Sequence, residues 1–163
     1  MKNLYTPYIW FFILFITIET TEGQKLTQIR IADLEKILSA KDDKLFVINF
    51  WASWCPPCVK ELPAFQKVAK EYHRDEVSFL LVSIDFPSQI DSHLKPFLEK
   101  NDIELDVAIM MDTDQNEWID KVDPSWQGNI PVTLMLNNAN KTRKFHPGDL
   151  NEKELRDMII SLL

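Results

Sequence analysis

Strands alternating with helices, followed by a hairpin and a closing helix, predict an α/β sandwich built on a mixed sheet. Three features carry that prediction. Leu45 to Trp51 and Val77 to Ile84 are continuous apolar runs, too short and too rich in β-branched or aromatic residues for helices. They read as strands covered on both faces. Ile31 to Ala40 and Val59 to Tyr72 repeat their apolar residues at helical spacing between and beside those runs. Near the end, Val132 to Asn137 and Thr142 to His146 form two strands around the turn Asn138-Ala139-Asn140, and an amphipathic helix follows.

The first segment reads as an address rather than structure. Lys2 precedes an unbroken apolar run from Tyr8 to Ile18, well short of the ~20 residues that a spanning helix needs. It matches the hydrophobic region of a secretory signal, and Thr21-Glu22-Gly23 offers a cleavage point before Gln24. Residues 1–23 are therefore expected to be a signal peptide, with an uncleaved signal-anchor as the rival, and residues 24–163 one domain. Either outcome places the domain outside the cytoplasmic membrane. No cysteine follows the apolar run, which argues against a lipid anchor.

The domain opens with a short extended stretch, Leu26 to Arg30. Its first helix sets Ile31, Leu34, Ile37 and Leu38 on one face. In Val59 to Tyr72 the stripe is Leu62, Phe65, Val68, Ala69 and Tyr72, with Pro63 expected to kink the helix. Ser88 to Lys100 reads as a helix with Pro96 inside it or near a break. Val107 to Met111 reads as a short strand and Asn116 to Val122 as a short helix. The final helix, Asn151 to Leu163, starts at Asn151 as its cap and turns Leu155, Met158, Ile159 and Leu162 inward.

With 25 acidic against 18 basic residues the formal net charge is −7, which disfavours nucleic acid and anionic lipid surfaces as partners. The one dense basic cluster, Lys141, Arg143 and Lys144, is read as a solvated hairpin turn. The chain has two cysteines. A domain of this size holds itself with a hydrophobic core, and closing a four-residue ring adds little stability. An exported chain with one closely spaced pair therefore uses that pair chemically.

The pair sits in Trp54-Cys55-Pro56-Pro57-Cys58, between the apolar strand and the start of a helix. Backbone N–H groups at a helix start favour a thiolate, the reactive form of cysteine. Proline is tolerated in the first helical turn, where its missing N–H would have no partner. Together these features point to thiol–disulfide exchange.

From Asn49-Phe50-Trp51-Ala52-Ser53-Trp54-Cys55-Pro56-Pro57-Cys58, Glu61-Leu62-Pro63, Trp126 to Thr133 and the late Gly148, the chain resembles the thioredoxin fold family. Within it, the likeness is to exported TlpA/ResA-type thiol–disulfide oxidoreductases, over residues 26–163. The resemblance implies a thioredoxin-like three-layer sandwich, a central mixed sheet flanked by helices, with a short strand-plus-helix insertion. About 45 residues separate Asp85 from Pro131, room enough for that insertion.

The resemblance also assigns roles. Cys55 takes the nucleophile position and Cys58 that of the resolving thiol, which attacks the mixed disulfide. Pro56 and Pro57 set the ring geometry, and Trp54 is a partly exposed platform beside Cys55. Pro131 takes the place of a cis-proline facing the disulfide, so that the Ile130 backbone can pair with an extended substrate segment. Trp51 is read as core, while Trp126 either lines the groove or packs inside. Asn49 stands where cytosolic thioredoxins often have a buried aspartate, and an amide cannot take a proton from the inner thiol. Glu61, three residues past Cys58, shares a helical face with it and is the candidate general base; an exposed glutamate beside Lys60 is the alternative reading.

Competing chemistries fit less well. Haem attachment needs histidine after the second cysteine, where Val59 stands. His73, His93 and His146 are scattered singly, so no metal site is expected. Peroxidatic thioredoxin-fold enzymes place threonine three residues before the reactive cysteine, where this chain has Ala52. A copper(I) metallochaperone and a non-enzymatic binding module remain as alternatives on the same fold. The expected protein is a monomeric, exported oxidoreductase, most simply of a bacterial periplasm, without organic cofactor. In the resembling family such proteins reduce or reshuffle disulfides of exported proteins, apocytochrome c in some members, and draw electrons from a membrane thiol carrier.

Overall fold

In the computed structural model, which describes residues 26–163, the elements run β1 (Leu26–Ile29), α1 (Ile31–Leu38), β2 (Leu45–Trp51), α2 (Pro56–Ala69), β3 (Val77–Ser83), α3 (Lys95–Lys100), β4 (Asp106–Met110), α4 (Ile119–Val122), β5 (Val132–Asn137), β6 (Thr142–Pro147) and α5 (Glu152–Ile160). The signal-peptide or signal-anchor reading falls on residues 1–23, outside the described residues. Among the described residues no helix is long and apolar enough to cross a membrane.

The six strands form one mixed sheet in the order β1-β4-β3-β2-β5-β6. β2, β3, β4 and β1 run parallel to one another, whereas β5 pairs antiparallel with both β2 and β6. Strand side chains alternate between faces, and each face buries its own core. Leu45, Val47 and Trp51 of β2 pack with α2, α3 and α5, through Leu62, Phe65, Leu98, Leu155 and Ile159. Ile48 and Phe50 point the other way, against Leu34 of α1, Val122 of α4 and Trp118 just before α4. The three-layer thioredoxin-like sandwich predicted from sequence is the observed one.

Several elements differ in detail. α2 starts at Pro56, three residues before the expected start at Val59, because the two prolines supply its first turn. It runs on through Pro63 and ends at Ala69, short of Tyr72. The helix expected over Ser88 to Lys100 is broken into a 3₁₀ turn (Pro87–Gln89), a π turn (Ile90–Leu94) and the short α3. Pro96 lies in the first turn of α3, where its absent N–H does least harm. Likewise, Asn116 to Val122 divides into a 3₁₀ turn (Gln115–Glu117) and α4. The stretch between Asp85 and Pro131 thus holds β4 with the short helices α3 and α4. Asn151 caps α5 as expected, accepting the Glu154 N–H at 3.1 Å while Glu154 reaches back to the Asn151 N–H.

Candidate active site

Parallel pairing brings the ends of β2 and β3 level, with Trp51 opposite Ser83 and the Ile84 N–H donating to the Trp51 carbonyl at 2.8 Å. The loops that follow leave the sheet side by side. Asp85, only 2 % exposed, accepts from the Ser53 N–H at 2.9 Å, the Ser53 hydroxyl at 2.6 Å and the Ser83 hydroxyl at 2.7 Å. These bonds satisfy a buried carboxylate with neutral donors and fasten the loop that carries Trp54 and Cys55.

Cys55 is the N-cap of α2, and its sulfur accepts the Cys58 N–H at 3.4 Å. The two cysteines form a disulfide with Cα atoms 5.3 Å apart. Cys55 keeps 5 % exposure while Cys58 keeps none, so an incoming group reaches Cys55 first. Around Cys55 the surface is open: Pro56 and Pro57 are exposed, and Trp54 is 56 % exposed.

On the other side stands the start of β5. The Ile130–Pro131 peptide bond is cis, and the Ile130 carbonyl oxygen lies 4.0 Å from Cys55 Sγ. Pro131 is buried and Ile130 half-buried. Trp126 does not line the groove. It is buried, packs on Phe50 with ring centroids 4.7 Å apart, and donates its indole N–H to the Asn129 carbonyl at 2.7 Å. It therefore anchors the residues leading into Ile130. From behind, the Gly148 N–H donates to the Pro131 carbonyl at 2.9 Å, in a turn where Gly148 adopts φ +100°, a conformation that favours glycine.

Glu61 is 3 % exposed, so the reading of an exposed surface glutamate is wrong. Its Oε1 accepts from Asn49 Nδ2 at 2.9 Å and its Oε2 from the Leu150 N–H at 2.8 Å. Asn49 also donates to Thr133 Oγ1, its cross-strand neighbour, at 3.1 Å, while Asn49 Oδ1 has no partner. Burial pushes the Glu61 carboxyl up from 4.5 to about 7, against the lowering effect of its two hydrogen bonds and with a smaller push from Asp149. A carboxyl poised near neutrality one helical turn from Cys58 is suited to taking and giving a proton.

Trp54, Cys55, Pro56, Pro57, Cys58, Glu61, Ile130 and Pro131 thus gather around the disulfide, while Trp126 packs inside behind them. Sequence reasoning missed Asp85, Ser53 and the Leu150 N–H. Neither Asp85 nor the Leu150 N–H carried a signal along the chain, because their partners lie 32 and 89 positions away. Among the described residues no group of three or more His, Cys, Asp or Glu side chains is placed to hold a metal ion.

Comparison with known proteins agrees with this geometry. The profile of the AhpC/TSA family matches residues 17–144. The thioredoxin-like protein YneN of Bacillus subtilis is 26 % identical over 144 residues, covering 85 % of this chain and 78 % of its own length. The thiol–disulfide oxidoreductase ResA of Halalkalibacterium halodurans is 22 % identical over 84 % of this chain and 74 % of its own. Among solved structures, a thioredoxin-related protein from Neisseria meningitidis serogroup B superposes with a TM-score of 0.62 at 25 % identity, over 77 % of this chain and 88 % of that one. A disulfide held at a helix start, a cis-proline against it and these relatives agree: the chain belongs to the AhpC/TSA family and is a thioredoxin-like thiol–disulfide oxidoreductase.

Proposed function

We propose that this oxidoreductase works outside the cytoplasmic membrane, reducing or reshuffling disulfides in other exported proteins through Cys55 and Cys58. The observation that carries the reading is the placement of Cys55: it caps α2, accepts the Cys58 N–H, and faces Ile130 at the open end of the sheet. The apolar run from Tyr8 to Ile18 supports export.

In the reduced protein, Cys55 thiolate attacks one sulfur of a substrate disulfide. A mixed disulfide forms and the first substrate thiolate leaves. Glu61 takes the Cys58 proton, and Cys58 attacks Cys55 Sγ. The intramolecular disulfide forms, the second substrate thiolate leaves and picks up a proton, and two electrons have passed to the substrate. A dithiol carrier of the membrane reverses the cycle, since an oxidising compartment offers no soluble thiol pool.

Cys58→Ser removes the release step while leaving Cys55 in place. The variant should accumulate mixed disulfides on Cys55 when produced in its native compartment, and these should disappear on reduction. The wild-type protein should reduce insulin, observed as turbidity, and either cysteine substitution should abolish it. No trapped species and no insulin reduction would overturn the reading; stoichiometric copper in such an inactive protein would move the assignment to a metallochaperone.

A further inference from the structure

We infer that the cleft between Trp54 and Phe86 is a subsite for a basic side chain of the partner segment, next to the cysteine under attack. The inference rests on the redox reading above and adds a substrate preference to it. Phe86, in the turn after β3, is 59 % exposed, and with Trp54 it walls a cleft of about 250 Å³ whose lining includes Asp85, Asp112 and Trp118. Two large aromatic faces turned to solvent beside a reactive disulfide are an apolar surface without an internal partner.

The charge of the cleft has one sign. Among the described residues its lining contains the carboxylates of Asp85 and Asp112 and no lysine, arginine or histidine. Asp112 is paired with Arg30 at 2.8 Å. Asp85, by contrast, meets only the neutral donors of Ser53 and Ser83. Among the described residues no cation offsets its charge, which acts through a poorly solvated wall. An arginine or lysine entering the cleft would lay its stem between the aromatic rings and its charge toward Asp85, combining cation–π and ionic attraction. An acidic side chain would be repelled.

Sheet order places this cleft where a bound segment would reach it. The ends of β3 and β4 lie on one side of the Cys55 loop and the start of β5 on the other. An extended segment pairing with Ile130 crosses Cys55 Sγ and continues over the ends of β2 and β3, toward Trp54 and Phe86.

The test uses three cyclic disulfide peptides that differ only in the residue flanking each cysteine: arginine, norleucine or glutamate. Second-order rates of reduction by the reduced full chain are divided by the rates for dithiothreitol, which removes differences in intrinsic reactivity. The arginine peptide should exceed norleucine by about fivefold, the size of one exposed cation–π contact, with glutamate slowest. Phe86→Ala, a change at an exposed position, should cut the arginine-to-norleucine ratio by at least about half, the attraction to Asp85 and Trp54 remaining, while hydroxyethyl disulfide is reduced as before. Equal normalised rates in the unsubstituted protein, or a preference undiminished by Phe86→Ala, would overturn the subsite while leaving the redox reading intact. Failure to reduce hydroxyethyl disulfide at all would overturn both.

Discussion

Replacing Glu61 by glutamine tests the proton-transfer role with little structural disturbance. Glutamine can keep the bond from the Leu150 N–H to its amide oxygen, but its NH₂ group then faces Asn49 Nδ2, donor against donor. Asn49 resolves the conflict by turning its amide over. The Oδ1 atom, now without a partner, would accept from Gln at 61 and from the Thr133 hydroxyl. With the wild-type carboxyl titrating at about 7, its basic form grows from about one tenth at pH 6 to about nine tenths at pH 8. The step that depends on it should accelerate by about the same ninefold over that range. Stopped-flow mixing of reduced protein with a small disulfide separates attack by Cys55 from the later release by Cys58. Only the second phase of Glu61→Gln should lose its rise between pH 6 and 8, and at pH 8 it should fall by at least about tenfold. A second phase with the wild-type rate and pH profile would refute the role.

The same substitution has a thermodynamic signature that owes nothing to kinetics. Folded protein holds the Glu61 proton to about pH 7, whereas the unfolded chain releases it near 4.5. The folded state binds more protons between those values, so the Glu61 contribution to stability is complete below pH 4.5 and is lost as pH rises through 7. The difference amounts to about 3 kcal/mol as an upper figure. Denaturant unfolding of the oxidised proteins should therefore find Glu61→Gln near wild type at pH 4 and more stable by up to about 3 kcal/mol at pH 8.5. Parallel stability curves across this range would show that the buried carboxyl is not held above its ordinary value.

Two further substitutions probe the frame around the disulfide. Asp85→Ala strands the buried Ser53 and Ser83 donors and should cost about 2–4 kcal/mol in urea unfolding, whereas Asp85→Asn keeps acceptors for most of them and should cost less than half as much; a loss below about 0.5 kcal/mol for Asp85→Ala would mean that the clamp on the Cys55 loop contributes nothing. Trp126→Phe retains an aromatic ring against Phe50 but loses the donor to the Asn129 carbonyl. It should lower stability by about 1–2 kcal/mol and slow insulin reduction severalfold through a looser Ile130, and unchanged reduction would show that the loop needs no such anchor.

How much of this was legible in the sequence follows from the range of each interaction. β2 and β3 were plain because burial on both faces leaves an apolar run that depends only on neighbours in the chain. The start of α2 was legible too, since prolines in a first turn and a cysteine before them obey local rules. The stretch from Pro87 to Lys100 was not: its apolar residues satisfy a helical period, yet Pro87 before the expected helix and Pro96 within it let tertiary packing choose 3₁₀ and π turns over a single helix. The cis bond at Pro131 was expected from family likeness alone, because the residues on either side give little preference. The Ser53–Asp85 clamp spans 32 positions and the Glu61–Leu150 bond 89, and no pattern along the chain announces pairs so far apart.

Asn49 and Glu61 make sense only as a pair. A carboxylate at position 49 would lie beside Glu61 in the same buried space, and two acids that close cannot both ionise. One would be held protonated far above neutrality and the two would titrate together. The neutral amide avoids this. It donates to Glu61, which partly offsets the desolvation that raises the carboxyl, and leaves it near 7 rather than higher. The backbone N–H of Leu150 acts in the same direction from α5's side of the site. Asparagine on β2 therefore does not mark a lost proton acceptor. On the proposed mechanism it lets a single acid on α2 serve in its place, and it ties the ionisation of Glu61 to β2 and to the backbone just before α5.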